Sequence, residues 1–424
     1  MATGISRHEK LGEDAKIAAG HREEFVHPLP DNNQRIVIDY PHKLPEKDIF
    51  AKEQLRFSEI QTDGKIKNIS AINLNSIMLA DNFYALKKLH EQYKGRINLI
   101  YLDPPYATGM DFQSRDLRHA YNDAFGTAAW LEFIRRRLIL MRELLADDGC
   151  IYVHIGHQML FHLKIIMDDV FGADKFKNLI VRRKCSSKNY TKNQYPNLHD
   201  YILFYSKNGV HKWNRPGIPA SDEWIEKEYP KIVKRGRYKL VPIHAPGTRN
   251  GETGKPWKGM NPPPGKHWQL IPSKLDDLDA NGEIHWSKNG NPRRKVYLPD
   301  KKLIPLTDYW ENFRDAHHQS IMITGYPTEK NFDMMKMIIA ASSDPGDIVL
   351  DPFCGSGTTL HAADELDRKW IGIDQSFAAI EKTLHRLRNG LRPMGDYVSV
   401  KNKGKTLNLF DRVSDKEFFF VADD

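Results

Sequence analysis

The run Asp103-Pro104-Pro105-Tyr106 places a carboxylate, a proline carbonyl and an aromatic ring side by side in the chain. Such a set can grip a flat amino group, for instance one attached to a nucleobase. That nitrogen is a poor nucleophile because its lone pair is delocalised into the ring. If Asp103 and the Pro104 carbonyl each accept one amine proton, the lone pair can localise toward an electrophile, while Tyr106 holds the base by its face. A plain β-turn is the alternative, since Asp-Pro-Pro is common in loops.

A second candidate site is the glycine-containing run over residues 351–359, Asp-Pro-Phe-Cys-Gly-Ser-Gly-Thr-Thr. Gly355 and Gly357 allow the backbone to approach a ligand closely, as in nucleotide-binding turns between a strand and a helix. The run is not the dinucleotide fingerprint, because Leu360 stands where the third glycine would be, and no lysine follows Gly357 as a P-loop requires. Asp374 lies about 20 residues beyond Gly355, the spacing at which an acid meets ribose hydroxyls. The pattern therefore predicts a nucleotide-like ligand.

Both runs follow apolar, β-prone stretches, at residues 97–102 and 347–350. Each stretch predicts a buried strand of a parallel sheet, and the prolines or glycines after it predict a turn at the strand's carboxyl end. Residues 370–374 predict a third strand of this kind. Ligands bind at the carboxyl edge of open α/β sheets, so this arrangement would bring the two runs together. Further strands are expected at residues 150–155, 178–181 and 201–205.

Together the two runs resemble the motifs of the amino-methyltransferases that use S-adenosylmethionine to methylate DNA bases. Asp-Pro-Pro-Tyr resembles their catalytic motif, and residues 351–359 resemble their cofactor loop. Because the catalytic motif comes far before the cofactor loop in the chain, the order resembles the circularly permuted β class. The chain is also similar to the Mod subunits of type III restriction systems, notably over residues 81–156 and 325–376.

The resemblance implies an α/β, Rossmann-like methyltransferase fold with a mostly parallel, seven-stranded sheet. An antiparallel hairpin, formed by the strands at residues 178–181 and 201–205, would close the sheet at one edge. We expect five segments: an N-terminal arm (1–48), a catalytic half (49–207), an inserted target-recognition domain (208–315), a cofactor-binding half (316–390) and a C-terminal extension (391–424).

The resemblance also implies roles for single residues. The catalytic residues would be Asp103, Pro104, Pro105 and Tyr106. Asp81 resembles a residue that meets the adenine of the cofactor, although it also fits a helix N-cap. Thr328 and Lys330 resemble the residues that hold the methionine carboxylate. The whole set expected to bind S-adenosylmethionine is Asp81, Thr328, Lys330, Asp351, Phe353, Gly355, Gly357, Thr358 and Asp374.

The N6 amino group of adenine is the expected target, because the catalytic motif begins with Asp103. In the resembled enzymes, N4-cytosine methyltransferases usually carry serine at that position, and RNA or protein glutamine methyltransferases more often carry asparagine. The Pro-Cys pair typical of cytosine C5 methyltransferases is absent from the sequence. N4-cytosine methylation and a non-catalytic DNA-binding subunit of a restriction–modification complex remain the alternatives.

Positive charge is concentrated in one segment of the chain. The whole sequence carries 63 Lys and Arg against 55 Asp and Glu, a net charge of +8. Residues 177–302 hold 26 Lys and Arg against 11 Asp and Glu, more than the excess of the whole chain, so the rest of the chain is acidic. A basic surface in this segment would attract DNA phosphates. The expected DNA contacts are the loop residues Lys255, Trp257 and Lys258 and the cluster Arg293, Arg294 and Lys295.

Three other clusters are expected to be structural. Most of the tryptophans between residues 208 and 309 would form the core of that segment, although aromatic rings among basic residues can also stack on DNA. The arginines at 135–137, in a predicted helix over residues 128–146, are expected to be a solvated face. His154, His157 and His162 do not share one face and no Cys or acid completes a set, so no metal is expected.

Cysteine usage and hydropathy indicate the compartment. Cys150, Cys185 and Cys354 are too scattered for a disulfide framework or a zinc cluster, which fits a reducing compartment. No apolar run reaches the roughly 18 residues of a membrane span. We expect a cytoplasmic protein that binds double-stranded DNA and no membrane. A restriction subunit and a second copy of the chain are further candidate partners.

Overall fold

The structure is a computed structural model that describes residues 38–53, 56–60, 66–106, 111–113, 119–122, 126–185, 193–315, 322–323, 329–390, 392–393 and 419–423. The chain divides into two compact units, residues 1–43 and 44–424. In the first unit, the described residues include a turn in which the Lys43 amide donates to the Tyr40 carbonyl over 3.3 Å. All features below belong to the second unit.

Nine α-helices and 23 strands are present among the described residues. The helices are α1 (Glu46–Ile49), α2 (Asn82–Tyr93), α3 (Thr127–Leu144), α4 (Leu160–Phe171), α5 (Asp222–Glu228), α6 (Pro272–Ala280), α7 (Phe332–Ser342), α8 (Thr358–Glu365) and α9 (Phe377–Asn389). The strands are β1 (Phe57–Ile60), β2 (Ile66–Ile69), β3 (Ser76–Leu79), β4 (Ile97–Leu102), β5 (Asp111–Gln113), β6 (His119–Asn122), β7 (Leu145–Ile155), β8 (Phe176–Arg183), β9 (His199–Ser206), β10 (Gly217–Pro219), β11 (Lys231–Val233), β12 (Gly236–Pro242), β13 (His244–Pro246), β14 (Lys266–Trp268), β15 (Ile284–Trp286), β16 (Pro292–Tyr297), β17 (Leu303–Pro305), β18 (Tyr309–Trp310), β19 (Met322–Ile323), β20 (Ile348–Asp351), β21 (Lys369–Asp374), β22 (Arg392–Pro393) and β23 (Phe419–Asp423). None of the helices in the described ranges is long and apolar enough to cross a membrane.

Eleven strands form the main sheet, in the order β18-β8-β9-β7-β4-β20-β21-β3-β23-β1-β2. Every pair from β7 through β4, β20, β21 and β3 to β23 is parallel, and β8 and β9 form the expected antiparallel hairpin. The expected count of seven strands is wrong, because β18 adds to β8 at one side and β23, β1 and β2 continue the sheet beyond β3. These added strands are too short to give a clear alternating pattern, and they satisfy backbone groups that an open edge would expose.

The central strands are the most deeply buried. Five of the six residues of β4 and all four residues of β20 are buried, as expected for strands covered on both faces. Their side chains join a core cluster with residues of α7 and α8, including Met335 and Leu360. Within this cluster the rings of Tyr152 and Phe204 stack with their centroids 4.2 Å apart. Burying a side chain of this size contributes about 1.5–3 kcal/mol, so this cluster stabilises the central strands of the sheet.

Between β9 and β18 the chain forms three small antiparallel sheets, β11-β12-β16-β15, β10-β17 and β13-β14. A separate cluster of buried apolar residues belongs to this segment: Ile243, Trp257, Trp268, Leu275 and Ile284. The expectation that tryptophans build the segment's own core is therefore confirmed for Trp257 and Trp268, which are 1% and 2% exposed.

Candidate active site and nucleic-acid interface

The carboxyl ends of β4, β20 and β21 bring the two sequence motifs together. These strands are parallel neighbours, so the residues that follow them lie at one edge of the sheet. Asp103 comes directly after β4, whereas Asp351 and Asp374 are the last residues of β20 and β21. One pocket at this edge is lined by Tyr101, Asp103, Glu329, Lys330, Asp351 and Phe353 and by residues 354–356, 358 and 359 of the glycine loop.

Contacts from three directions hold the loop of residues 103–106. The Tyr106 hydroxyl donates to Asp103 Oδ1 over 2.7 Å. The Lys330 ammonium forms an ion pair with Asp103 Oδ2. The buried indole of Trp130, on α3, donates to the Pro105 carbonyl over 2.7 Å. Burial, together with the charge of Asp103, holds the pKa of Tyr106 well above its usual value, so this hydroxyl stays protonated and remains a donor.

The Tyr106 ring lies against the backbone of Gly156. A Cβ at position 156 would be 2.9 Å from ring carbon Cδ2 of Tyr106, closer than such atoms approach each other. The imidazole of His154 is the next ring, with its centroid 6.4 Å from that of Tyr106. Gly156 therefore sets how far the ring can settle toward β7. No signal in the sequence indicated this role, because the two residues are brought together only by the pairing of β4 with β7.

A chain of buried polar groups lies beneath this loop. Tyr101 Oη and His154 Nδ1 are 2.8 Å apart, and His154 Nε2 is 3.5 Å from Asp200 Oδ2. Lys184 donates to the other Asp200 oxygen over 2.7 Å. Burial lowers the pKa of His154, which favours the neutral imidazole. Burial opposes ionisation of Asp200, but the contacts with His154 and Lys184 prevail and hold the pKa of Asp200 well below its usual range.

The glycine loop is shaped by the two acids expected to serve the cofactor. Asp351 Oδ1 accepts from the Phe353 amide over 3.0 Å, and burial raises the pKa of Asp351 to about 7. The two oxygens of Asp374 accept from the amides of Gly355 and Ser376, each over 2.9 Å. Burial also raises the pKa of Asp374. Both acids therefore hold the turn through backbone amides, which is a structural role that the sequence did not indicate.

Helix α9 supplies a residue that the sequence analysis missed, Arg386. Its Nη1 donates to Glu329 Oε1 and to Thr358 Oγ1, both over 2.9 Å, and it also contacts Ser356. Three residues earlier on the same helix face, the Thr383 hydroxyl donates to the Gly355 carbonyl over 2.8 Å. Arg386 is 0% exposed, and burial lowers its pKa. The available signal was an arginine within a predicted helix whose apolar residues Ile380, Leu384 and Leu387 recur at helical spacing.

The glycine loop itself requires glycine at position 357. Gly357 has a φ of 71°, and a Cβ there would lie 2.6 Å from Thr383 Cγ2. The following residue, Thr358, opens α8 and is buried. Phe353 lines the pocket with its ring 6.0 Å from that of Phe133. Lys330 is 9% exposed at the same pocket, whereas Thr328 lies outside the described residues.

Asp81 has the cap geometry that the sequence allowed. Its Oδ1 accepts from the Phe83 amide over 2.7 Å at the start of α2, and Arg137 Nη2 donates to the same oxygen over 2.9 Å. Arg135 and Arg137 are only 5% and 2% exposed, so the expected solvated face is wrong for both. The reason is that each has a partner inside the protein, Glu132 for Arg135 and Asp81 for Arg137. Burial lowers the pKa of Arg137 to about 10.

The expected DNA loop is only partly exposed. Trp257 is 1% exposed, stacks on Trp286 and donates its indole N–H to Asp276 over 2.8 Å. The expectation that Trp257 reaches DNA is therefore wrong, because the ring completes the segment's core. The flanking lysines are exposed at the surface, where Lys255 pairs with Glu252 and Lys258 pairs with Asp279.

The cluster Arg293, Arg294 and Lys295 lies on β16, where successive side chains alternate between faces. Arg293 is exposed, and Lys295, on the same face, donates to the Gly282 carbonyl over 2.8 Å. Arg294 points to the opposite face and is half-buried. The expectation of one joint basic patch is therefore wrong for Arg294.

In the described part of the chain, no three His, Cys, Asp or Glu residues are grouped so that they could hold a metal.

The parallel sheet and the two loops at its carboxyl edge define an α/β methyltransferase fold. The family described as DNA methylase, which comprises N6 and N4 methyltransferases, matches residues 97–384, and this chain belongs to that family. It is a DNA methyltransferase.

Individual relatives agree with this assignment. The chain is 57% identical over 410 residues to the type II methyltransferase M.EcaI of Enterobacter cloacae, covering 96% of this chain and 90% of that protein. It is 30% identical over 344 residues to the StyLTI Mod subunit of a type III restriction-modification enzyme of Salmonella typhimurium, covering 71% of this chain and 52% of that subunit. The type II methyltransferase M.KpnI of Klebsiella pneumoniae is 28% identical over 375 residues, covering 78% of this chain and 88% of that protein.

Proposed function

We propose that this enzyme transfers the methyl group of S-adenosylmethionine to the N6 amino group of an adenine that is turned out of double-stranded DNA. The observation that carries the proposal is the shared pocket: Asp103, Lys330 and the glycine loop line one space at the carboxyl edge of the sheet. A base amine at Asp103 and a cofactor on the glycine loop would meet there. The aspartate that begins the catalytic motif favours adenine over cytosine.

The residues around the glycine loop fit S-adenosylmethionine. Each Asp374 oxygen accepts one backbone N–H and keeps a second lone pair that a ribose hydroxyl can use. Asp81 would accept from the adenine amine, and Phe353 offers an aromatic face in the pocket. Lys330, with Thr328 before it, is the cation for the methionine carboxylate. When bound, the cofactor supplies an electrophilic methyl group on a sulfonium.

The chain's own residues then activate the amine. Asp103 accepts one N6 proton and the Pro104 carbonyl accepts the other, so the nitrogen lone pair is directed toward the methyl group. Tyr106, set by Gly156, stacks on the base and contributes about 1–3 kcal/mol. Catalysis rests on positioning and electrostatics, and no covalent enzyme intermediate is needed. Turning the base out costs a few kcal/mol, which phosphate contacts help to offset.

Nucleoside analysis tests the proposal. DNA from cells that express this chain alone is digested to nucleosides and separated by mass spectrometry, with the Asp103→Ala variant as the control for host methylation. N6-methyldeoxyadenosine should rise above the level of this control only with the wild type. N4-methyldeoxycytidine in its place would refute the adenine assignment and support the first alternative. DNA binding without any methylated nucleoside would support a non-catalytic subunit.

We also propose the circularly permuted β arrangement, with residues 49–207 as the catalytic half and 316–390 as the cofactor-binding half. The neighbouring positions of β4 and β20 in the sheet, despite their separation in the chain, support this order. Residues 208–315 would recognise DNA, and 391–424 would be an extension that contributes β23. The exposed residues Lys255, Lys258 and Arg293, with Lys295 beside them, would contact phosphates.

The partners follow from the same relatives. Because several relatives are named as Mod subunits of type III restriction-modification enzymes, a restriction subunit is a candidate partner, and a second copy of the chain is another. We expect the enzyme to act in the cytoplasm, since its three cysteines are buried and free, as is usual in a reducing compartment. Size measurement of the purified chain with and without DNA would test the homodimer, and a measured monomer in both states would exclude it.

A further inference from the structure

Both carboxylate oxygens of Asp103 are already engaged by the chain itself. Oδ1 accepts from the Tyr106 hydroxyl over 2.7 Å, and Oδ2 pairs with the Lys330 ammonium. The pair is shielded from water, since the side chains of Lys330 and Asp103 are only 10% and 20% exposed. Lys330 also lies 5.8 Å from the centre of the Tyr106 ring. The acceptor proposed for the base amine is therefore occupied by a cation in this state.

A base amine alone is a weak competitor for this position. Hydrogen bonds from a charged donor are roughly twice as strong as those between neutral groups, so the ammonium holds the carboxylate better than a neutral amine can. Displacing it would also separate a largely buried ammonium from the carboxylate with which it pairs, which is costly. An exchange at Asp103 becomes more favourable when Lys330 receives another anion at the same moment.

The pocket indicates where that anion would come from. Lys330 and the glycine loop line the same space, and Glu329, the neighbouring carboxylate, is bound to Arg386. An amino-acid carboxylate that enters on the glycine loop would meet Lys330 in this space. The adenosine portion of a cofactor carries no such anion. The trigger would therefore be the carboxylate and not occupancy of the nucleoside part of the site.

We propose that Lys330 is a positioning residue that makes capture of the base amine depend on the cofactor's carboxylate. It holds Asp103 until that carboxylate arrives and then transfers its ion pair from Asp103 to the carboxylate. The inference rests on the proposed function, because it takes S-adenosylmethionine as the cofactor and an exocyclic amine as the group bound at Asp103. Its consequence is an order of events, in which cofactor binding precedes productive capture of the base.

Binding measurements with two duplexes test this order. One duplex carries adenine at the position that the enzyme methylates, and the other carries purine there, which lacks the amine. The ratio of their dissociation constants reports how much the amine is held. It is measured without ligand, with S-adenosylhomocysteine, and with 5′-methylthioadenosine, which has the nucleoside but no carboxylate. Each ligand is kept above its own dissociation constant, determined by calorimetry. Because purine pairs more weakly with thymine, only the change in ratio between ligands counts.

For the wild type, S-adenosylhomocysteine should raise the preference for the adenine duplex over the purine duplex roughly tenfold or more, because a hydrogen bond to a charged acceptor contributes about that much to binding. Methylthioadenosine should leave this preference unchanged. In Lys330→Met the preference should be high without any ligand. Lys336→Met is the matched control, since this exposed lysine on α7 pairs with Glu365 away from the pocket, and it should behave like the wild type.

Equal ratios in all three ligand states of the wild type would overturn the inference, and so would a methylthioadenosine effect as large as that of S-adenosylhomocysteine. These outcomes do not depend on the variant being folded. They are also distinct from a failure of the proposed function. A wild type that produces N6-methyldeoxyadenosine but shows no dependence on the carboxylate keeps that function and loses this role for Lys330.

Discussion

The carboxyl edge of the main sheet and the segment between β9 and β18 hold their charges in opposite ways. At the edge, Arg386 and Lys330 are buried and pair with acids that lie far away in the chain. In the segment, Lys255 and Lys274 are 60% and 65% exposed and pair with acids three positions away. Breaking a buried pair costs about 3–5 kcal/mol, whereas an exposed pair is worth about 0–1 kcal/mol. Losing one partner of an ion pair at the edge is therefore costly. Lysines of the segment can exchange their acidic partners for phosphates at little cost.

The contrast between the two regions predicts that the edge does not tolerate the loss of Asp103. We expect Asp103→Ala to lower the single-turnover rate of methyl transfer to less than about a tenth, because one lost charge-assisted contact costs at least about 1.4 kcal/mol. DNA binding without cofactor should stay within a few-fold, since Asp103 is then paired with Lys330 and does not hold the base amine. A variant that keeps more than a tenth of the rate would remove Asp103 from its catalytic role.

Substitution of Arg386 tests whether the buried ion pairs of the edge stabilise the protein. Arg386→Met should destabilise the protein by about 3–5 kcal/mol, because Glu329 would remain buried without its cation. It should also weaken cofactor binding, since Thr358 and Ser356 lose a shared donor. Arg386→Lys keeps the charge but not the fork of donors, so it should recover part of both losses. Urea denaturation and calorimetry measure these quantities. Unchanged stability and affinity in the Met variant would show that α9 does not position the glycine loop.

Asp374→Ala should have a smaller effect, confined to the cofactor. We propose that the acid accepts from two ribose hydroxyls. Hydrogen bonds to a charged acceptor contribute about 1.5–3 kcal/mol, so the dissociation constant should rise roughly ten- to hundred-fold. Part of the loss would come from the freed amides of Gly355 and Ser376. If calorimetry finds that Asp374→Ala binds S-adenosylmethionine as tightly as the wild type, the assignment of Asp374 to the ribose is wrong.

The smallest expected effect lies in the segment. Arg293→Gln should reduce the slope of log K against log salt by about 0.9 for every duplex tested, as expected for one lost phosphate contact. Arg294→Gln is the matched control, since its side chain leaves β16 on the opposite face and should not change the slope. Equal slopes for the wild type and Arg293→Gln would place this face away from DNA. A lowered slope for Arg294→Gln would show that both faces contribute.

The sequence predicted those parts of the site that are written in neighbouring residues. The apolar run before Asp103, the glycines after Asp351 and the acid at the end of the following strand are local signals, and the structure brings all three to one edge. The α/β class followed from the same local patterns, whereas the antiparallel hairpin of β8 and β9 was implied only by the family resemblance. Each of these features depends on a pattern shorter than about 20 residues, the reach of such signals.

What the sequence did not predict depends on distant partners. Nothing near Arg386 indicates that its guanidinium meets Glu329, and nothing near Gly156 indicates that a tyrosine ring lies against it. Arg135 pairs with Glu132 one turn earlier on the same helix, but Asp81, the acid that pairs with Arg137, becomes a neighbour only when α2 packs on α3. Trp257 resembled a DNA contact for the same reason, since its core partners come from α6 and from other short strands.

The position of strand β23 in the main sheet predicts an order of folding. It lies between β3 and β1, so the hairpin of β1 and β2 reaches the described sheet only through residues 419–423, at the opposite end of the chain. Pairings between such distant segments form late, because a long loop must close first. In pulsed hydrogen exchange during refolding, amides that pair β4 with β7, which are closer in the chain, should gain protection before those that pair β1 with β23, and simultaneous protection would contradict this order. The outer strands β1 and β2 would then join the sheet after the surroundings of β4 have formed.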